Sequence, residues 1–537
     1  MKRIIPLFVA ASLLMVSCMG STSLWGQYQT PTPAGWNPVS ASPAVDVFNT
    51  QTPTPTLENT PLPTRTYTAT PTSLLDVFVT RDVTATATDS TPATIPPDSI
   101  LYYTQSGDWL PAVASRFGVS ESEITSPKPV SNKGLIDPGT LLIIPDRRDE
   151  SVGYTPGAQL IPDSEIVFSA TAADFNIAGY IRDAGGYLAT YREYLGSTGW
   201  TTGISEIERL SYENSIDPRI LLAILDYEAN WVRGRPQTIL RTDYPLDYQK
   251  PAYKGMFQQL AWAINQLSIG YYGWRMGMIT ELSFRDGEKL RLDPTLNAGT
   301  VSIMYFFSRQ HTMNEWLRIM DQTSGFPYFY QNMFGDPWLR ADQVGPIFPP
   351  GLTQPEMILP FEPGMIWAYT GGPHGAWEHD GALAAIDFAP SNDKSGCAPT
   401  TSWTVAIAPG LVVRSEKGVV VTDMDGDGSE QTGWNILYLH IATEERAVTK
   451  GEWVDQGGRI GHASCEGGAA TGTHVHIARK YNGEWVIADG FLPFVLSGWT
   501  VVAGNEPYLG KMVKGNKVVT ADINGQAKSN ISREEDE

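Results

Sequence analysis

The pair His474 and His476, in the run TGTHVHIA, constrains the fold of this 537-residue chain more than any other feature. Side chains at positions i and i+2 of a β-strand point to the same face, so both imidazoles are expected to enter one cleft. A strand that presents two imidazoles to one cleft indicates a metal site.

A complete ligand set for zinc can be found around this pair. His374, in TGGPHGAW, and Asp387, in AAIDF, join His476 as two nitrogen ligands and one oxygen ligand. Catalytic zinc usually has three such protein ligands and an open position for water. His440, which closes the apolar run WNILYLHI, and His474 then remain for proton transfer. The chain has no HExxH motif that would supply a glutamate base, so the pattern predicts a hydrolase that uses histidines instead.

The remaining histidines leave alternatives open. His379 lies eight residues before Asp387 (387 − 379) and could replace His374 as a ligand. His462, in GRIGHASC, is interpreted as structural or as a partner of the site, and His311, in SRQHT, as a surface residue. Any one histidine taken alone could be merely structural.

The motifs around these residues resemble those of the lysostaphin/LytM-type zinc endopeptidases, which cut peptidoglycan cross-bridges. TGGPHGAW, AAIDF, YLH and GTHVHIARKYNGEW occur in the same order over roughly residues 360–500. The gap of 13 positions (387 − 374) between the first two ligands resembles the staphylolysin (beta-lytic) branch. The resemblance implies a compact antiparallel β-sheet domain over residues 356–506, with zinc bound by His374, Asp387 and His476, and catalysis by His440 and His474.

The length and charge limit the other function classes. A chain of 537 residues is expected to hold three or so domains. Its formal net charge of −20 argues against a nucleic-acid partner, because binding a phosphate backbone needs a basic surface. The same charge suits a protein that works in solution outside the cytoplasm more than one that binds a membrane surface.

The start of the chain has the pattern of a secretion signal. MKRIIPLFVAASLLMVSCMG has two early basic residues and then an apolar stretch too short to span a membrane as a helix. LMVSC (residues 14–18) resembles a bacterial lipobox, which implies a lipoprotein signal over residues 1–18 and lipidation of Cys18. An ordinary cleaved signal peptide is the alternative. We expect an extracytoplasmic protein that is lipid-anchored at the membrane surface, or secreted if Cys18 is not lipidated.

The cysteine count agrees with export. Besides Cys18, the chain has only Cys397 and Cys465, both in the expected zinc domain. In an oxidising compartment this even pair is expected to form one disulfide. Zinc ligation by these cysteines is the rival interpretation, but it leaves the histidines unexplained.

Two regions precede the zinc domain. Residues 19–97 are rich in Thr and Pro, which favours an extended spacer and cannot build a core. Residues 98–146 resemble a LysM domain, a small βααβ module that binds N-acetylglucosamine-containing glycans, on YYTQSGDWLPAVASRFGVSESEI and GLIDPGTLLIIP. A glycan-binding domain and a degenerate structural module are both open interpretations.

Residues 165–350 are expected to be mostly helical. Asp217-Pro218 is a typical helix start, and Glu228 follows on the apolar face of that helix, where burial would raise the pKa of a carboxyl group as a glycosidase acid requires. DPRILLAILDYEANW resembles the catalytic helix of lytic transglycosylases and other lysozyme-like enzymes, with Ala229 in place of the usual Ser. An active muramidase, a non-catalytic glycan-binding derivative and an unrelated helical domain remain open.

One acidic motif and one terminal segment complete the chain. VTDMDGDGSEQ places Asp423, Asp425 and Asp427 at alternate positions, as at the start of a Ca²⁺ loop, but Trp434 at the twelfth position excludes an EF-hand. The motif is interpreted as a hairpin loop between strands, with or without Ca²⁺.

Residues 507–537 are assigned to a C-terminal tail.

Together these patterns predict a multidomain, surface-anchored cell-wall hydrolase. Its fold class combines a small α+β module, a mostly α middle domain and an antiparallel β-sheet zinc domain that cuts peptide cross-bridges. The expected partners are the peptide stems and the glycan of peptidoglycan, with a membrane contact through the lipid anchor only. The alternatives are a non-catalytic peptidoglycan-binding scaffold or hydrolase activator, and a glycan-cleaving muramidase that uses Glu228.

Overall fold

The computed structural model describes residues 96, 98–149, 151–391 and 396–534. The predicted signal peptide with Cys18, and nearly all of the Thr/Pro-rich spacer, lie outside these residues. Within the described ranges, no helix has both the length and the apolar character needed to cross a membrane.

The first module packs one helix on a two-stranded antiparallel sheet. Its regular elements are β1 (Ser99–Tyr103), α1 (Leu110–Phe117) and β2 (Leu141–Pro145). The helix ends at Gly118, whose φ of 68° is the left-handed conformation that glycine adopts without strain. In place of the second helix of the expected βααβ order there is a single 3₁₀ turn, Glu121–Glu123.

The middle region is helical, as expected. Its helices are α2 (Ile177–Ala184), α3 (Gly203–Asn214), α4 (Pro218–Ala229), α5 (Ile239–Asp243), α6 (Met256–Arg275), α7 (Ala298–Ser308), α8 (Met313–Ile319), α9 (Phe326–Phe334) and α10 (Pro337–Val344). Two hairpins interrupt them: β3 (Arg192–Leu195) with β4 (Gly199–Thr202), and β5 (Glu281–Ser283) with β6 (Lys289–Arg291). The Asp217 carboxylate accepts from the Arg219 backbone N–H and so caps α4, while Pro218 occupies its first turn.

The C-terminal region is built on a large antiparallel sheet. Its strands are β7 (Ile366–His374), β8 (Ala385–Pro390), β9 (Trp403–Val405), β10 (Gly410–Glu416), β11 (Gly418–Asp423), β12 (Trp434–Ile441), β13 (Trp453–Val454), β14 (Arg459–His462), β15 (Val475–Tyr481), β16 (Glu484–Trp485), β17 (Val495–Leu496), β18 (Trp499–Ala503), β19 (Gly510–Lys514), β20 (Lys517–Thr520) and β21 (Asn530–Ser532). The main sheet has the order β13-β10-β11-β12-β15-β8-β7-β21, with β16 paired to β15.

The segment expected to be a tail is part of these sheets. β19 and β20 extend a four-stranded sheet that begins with β17 and β18, and β21 pairs with β7 at the edge of the main sheet. The assignment of residues 507–537 to a tail is therefore wrong for its described part. Short strands separated by polar turns leave little periodic signal, and their pairing partners are far away in the sequence.

Buried ion pairs and hydrogen bonds connect the helical region to both neighbours. Arg275, at the end of α6, pairs with Glu484 of the sheet region and with Asp163, at 2.9 Å each. Its backbone carbonyl accepts from the indole N–H of Trp109 in the first module. Each of these charges is paired, and replacing one partner alone would leave an unpaired charge at a buried site, which costs several kcal/mol.

Candidate metal centre

Three neighbouring strands place the predicted ligands side by side. His374 ends β7, Asp387 lies within β8, and His476 lies within β15. Asp387 and His476 are directly paired across the antiparallel β8–β15 ladder, and irregular register near Gly371 brings His374 next to them. Residues 102 positions apart in sequence therefore meet on one face of the sheet.

The glycines of TGGPH make room for this arrangement. A Cβ atom on Gly371 would overlap the carboxylate of Asp387, and one on Gly372 would overlap the backbone of Leu509. Any larger residue would displace either the candidate ligand or the chain that packs behind it.

The three ligand atoms converge closely. His374 Nε2 lies 3.0 Å from His476 Nδ1 and 3.2 Å from Asp387 Oδ1, and His476 Nδ1 lies 3.4 Å from the same oxygen. Zinc bonds of 2.0–2.1 Å in a tetrahedral arrangement put neighbouring ligand atoms roughly 3.3 Å apart. The spacing therefore fits one zinc ion.

Hydrogen bonds on the far side of each ring fix which nitrogen faces the centre. His374 Nδ1 donates to the Gly372 carbonyl at 2.8 Å, and His476 Nε2 donates to the Ala376 carbonyl at 3.0 Å. The opposite nitrogens then carry lone pairs and face one another. Asp387 Oδ1 is buried and accepts no hydrogen bond within the described chain. Three electron-rich atoms without a donor between them are the expected environment of a metal cation.

The charges within the cluster favour an ionised carboxylate. Burial alone would raise the pKa of Asp387, but the positive charge that His374 carries when it is protonated outweighs burial and holds that pKa well below its usual value. Burial lowers the pKa of His476, which favours the neutral imidazole that binds metal.

His440 and His474 lie together at one side of the cluster. Their ring centres are 4.4 Å apart, and His474 Nε2 is 3.9 Å from Asp387 Oδ1. His440 Nδ1 donates to the Glu466 carbonyl and His474 Nδ1 to the Gly472 carbonyl, which leaves Nε2 of each ring to accept a proton. Burial, followed by the charges of the neighbouring histidines, lowers the pKa of His440 to about 3, so this ring stays neutral.

The predicted disulfide is confirmed and lies beside this pair. Cys397 and Cys465 are bonded, with 5.7 Å between their Cα atoms. Cys465 stands between Ser464, which hydrogen-bonds the His440 carbonyl, and Glu466, whose carbonyl holds the His440 ring. The bond thus restrains the turn that orients His440.

The alternative ligand His379 does not reach the centre. Its side chain is 76% exposed and pairs with Asp380 on the surface. His462 packs on Trp403 and its Nδ1 donates to the Ser402 carbonyl, consistent with a structural residue.

The structure corrects the interpretation of His311 as a surface residue and shows which basic groups surround Glu228. His311 is not a free surface residue, because its Nε2 lies 3.4 Å from a carboxylate oxygen of Glu228. Arg241 lies 3.7 Å from the other oxygen, and only 7% of the Glu228 side chain is exposed. A carboxylate enclosed by two basic groups has the arrangement of a structural ion pair.

The acidic motif forms a compact loop. Asp423, Asp425 and Asp427 each bring a carboxylate oxygen into one group. Asp423 already accepts from the backbone N–H groups of Asp425, Gly426 and Gly428, which is sufficient to organise a hairpin turn. A Ca²⁺ ion at this loop stays a prediction of the sequence.

Tyr508 belongs to the site but was not expected from the sequence. Its ring stacks on His374 with 4.1 Å between ring centres and an 18° angle between planes. The backbone of Tyr508 also exchanges hydrogen bonds with Gly372 and Pro373. No motif marks this residue, and only the return of the chain beside β7 brings it to the metal cluster.

Comparison with known proteins adds sequence relatives. The model of the LasA N-terminal domain family matches residues 159–347, which is the helical region. Protease LasA of Pseudomonas aeruginosa strain PAO1 is 25% identical over 350 residues, covering 61% of this chain and 75% of that protein. Protease LasA of strain UCBPP-PA14 is 24% identical over the same shares.

Solved structures also match the chain. The M23 metalloprotease pseudoalterin, from the deep sea, has 23% identity and a TM-score of 0.27, over 32% of this chain and 96% of that one. A zinc-containing peptidase from Vibrio cholerae has 18% identity and a TM-score of 0.19, over 27% and 41%. Because each TM-score is below 0.5, these structures do not support an assignment of the enzyme class. That assignment follows from the sequence relatives and from the geometry of the site. Together with the buried cluster of two histidines and one aspartate, the matches to Protease LasA support the expected zinc metalloendopeptidase.

Proposed function

We propose that this chain is an extracytoplasmic peptidoglycan hydrolase whose sheet region cleaves the peptide cross-bridges of the cell wall. The observation that carries the proposal is the convergence of His374 Nε2, His476 Nδ1 and Asp387 Oδ1 within 3.0–3.4 Å. The helical region has the LasA N-terminal domain as its matching family, which supports the same class of enzyme.

The residues divide the work between binding and proton transfer. His374, Asp387 and His476 would hold zinc, which when bound supplies an acidified water and polarises a peptide carbonyl. His440 and His474 each point Nδ1 at a backbone carbonyl, so Nε2 can take a proton from the attacking water and later return it to the leaving amine. The low pKa of His440, about 3, keeps this ring neutral at neutral pH, so its Nε2 can accept a hydrogen bond from the water.

The other regions serve to bring the enzyme to its substrate. The module at residues 98–146 is proposed to bind glycan in the manner of LysM domains, and Cys18 to carry a lipid anchor. The disulfide between Cys397 and Cys465 is consistent with an oxidising, extracytoplasmic compartment. We assign no second catalytic activity to the helical region, because Glu228 is enclosed by Arg241 and His311. Its likeness to lytic transglycosylases stays a prediction of the sequence.

Digestion of purified peptidoglycan tests this function. Mass spectrometry of the soluble products should show fragments cut within the peptide, together with about one zinc per protein chain. The Asp387→Ala variant should release none of these fragments and should contain little zinc, while His379→Ala should behave as the unmodified protein. Cleavage at glycosidic bonds alone would contradict the proposal. So would unchanged activity in Asp387→Ala, and absence of any cleavage would favour the non-catalytic scaffold.

A further inference from the structure

The β3–β4 hairpin exposes an aromatic face that no other part of the described chain covers. Tyr194 and Trp200 are directly opposite in the hairpin register, and each is 67% exposed. Their rings are 6.0 Å apart in an edge-to-face arrangement. Two large aromatic side chains left in water at one place mark an interaction surface, since burying them elsewhere would be favourable.

The hairpin holds this face outward by anchoring its other side. Leu195 is buried, and the carboxylate of Glu193 accepts a hydrogen bond from the Phe257 backbone N–H at 2.8 Å. Because strand side chains alternate, Arg192 and Tyr194 must then point away from the protein. The fold therefore presents both aromatic rings to the solvent.

A cavity lined by both polar and apolar side chains continues from the same face. It has a volume of about 330 Å³, and its lining includes Arg182, Thr190, Arg192, Thr202, Ser205 and Glu208. Arg192 belongs to both features, because its guanidinium also lies 5.9 Å from the centre of the Trp200 ring. Two arginines against one glutamate make this patch locally basic on a chain whose net charge is −20.

We propose that the aromatic face and the adjoining cavity bind a glycan strand of peptidoglycan. The C–H faces of pyranose rings pack on the negative faces of aromatic rings, while the hydroxyl groups of threonine and serine pair with sugar hydroxyls. The arginines complement the carboxylates that the attached peptides carry. This inference rests on the proposed function for the identity of the polymer, and it adds a glycan site outside the LysM-like module and the metal centre.

Sedimentation with insoluble peptidoglycan tests the site in the full chain. All proteins carry His474→Ala to prevent digestion, and the double variant Tyr194→Ala/Trp200→Ala is compared with Tyr328→Ala, another exposed tyrosine of the helical region. The double variant should bind at least about tenfold more weakly, because aromatic anchors dominate such interfaces. Tyr328→Ala should bind normally. The LysM-like module and the aromatic face are two linked glycan sites, and linked sites bind with enhanced avidity. Loss of the aromatic face alone should therefore lower the measured affinity.

Peptide-free glycan strands, phospholipid vesicles and light scattering distinguish a glycan from the other possible partners of this face. Glycan strands freed of peptide should show the same loss with the double variant, whereas Arg192→Ala should weaken whole peptidoglycan more than peptide-free strands. Unchanged binding by the double variant overturns the proposal. A loss confined to anionic phospholipid vesicles, or a change only in oligomeric state by light scattering, also overturns it. The proposed function would be contradicted by a different result, namely that protein with intact His474 does not cleave the peptide. That result would not change the outcome of the binding assay.

Discussion

Asp380 and Asn265 exchange two hydrogen bonds, each 3.1 Å long, between the loop that follows His374 and helix α6. The same loop supplies the Ala376 carbonyl that accepts from His476 Nε2. Close by, burial and then the charge of Glu213 in α3 raise the pKa of Glu378 to about 7. The helical region thus contacts the loop that orients a candidate zinc ligand.

Substitution of Asn265 by alanine should weaken zinc binding. The loop would lose its tie to α6, and the Ala376 carbonyl would hold the His476 ring less firmly. The loss should be smaller than the roughly 10–100-fold typical for a direct partner of a ligand. Competition with a zinc chelator measures it, and Tyr328→Ala, at an exposed position of the helical region, is the control. Equal affinity in Asn265→Ala and the unmodified protein would show that the contact does not support the site.

Replacement of His474 and replacement of His476 should have different effects on zinc content and on peptide cleavage. His476→Ala removes a candidate ligand, so both zinc content and peptide cleavage should fall. His474→Ala should keep about one zinc per chain and lose most of its activity, because its role is proton transfer and such a step is worth about 10²–10⁴-fold in rate. Metal analysis and cleavage assays on the same preparations decide this. Loss of zinc from His474→Ala would mean that it is a ligand.

Removal of the disulfide should lower both stability and activity. Cys397 and Cys465 close a loop with a sequence separation of 68, and a bond of this kind typically contributes about 2–4 kcal/mol. The double variant Cys397→Ser/Cys465→Ser should therefore unfold at lower denaturant concentration. Cleavage should also slow, because the Glu466 carbonyl that orients His440 lies next to Cys465. The unmodified protein under reducing conditions should match the variant, and a variant as stable as the unmodified protein would contradict the expectation.

Glu206 should make stability fall with rising pH. Burial, together with the charge of Glu193, raises its pKa from 4.5 to about 9. The folded protein then keeps a proton that the unfolded chain releases, so the contribution of Glu206 is complete below about pH 4.5 and is lost as pH rises towards 9.

The neutral variant Glu206→Gln isolates this effect. It should flatten the decline in unfolding free energy between pH 5 and pH 8, which for one such group is at most about 1.4 kcal/mol per pH unit. Denaturant unfolding across this range measures the slope. Glu281→Gln, at an exposed ion pair, should leave the slope unchanged. An equally steep decline in Glu206→Gln would assign the pH dependence to other groups.

Local chemistry made several features predictable. Asp217 and Pro218 start a helix because an N-cap carboxylate and a fixed φ act within one turn. The alternation of strand side chains puts His474 and His476 on the same face before any partner is known. The even cysteine pair predicted the disulfide without knowledge of the fold, and the helical character of the middle region follows from the period of its apolar residues.

Long-range packing decided the rest. Only antiparallel pairing of β8 with β15 puts Asp387 opposite His476, and only the packing of the turn between β18 and β19 beside β7 brings Tyr508 onto His374. His311 gives no local sign that it contacts Glu228, since that contact depends on how separate helices pack. Periodicity and capping act over a few residues, whereas these contacts join residues scores of positions apart. Their free energy comes from burial and ion pairing that exist only once the whole chain has folded.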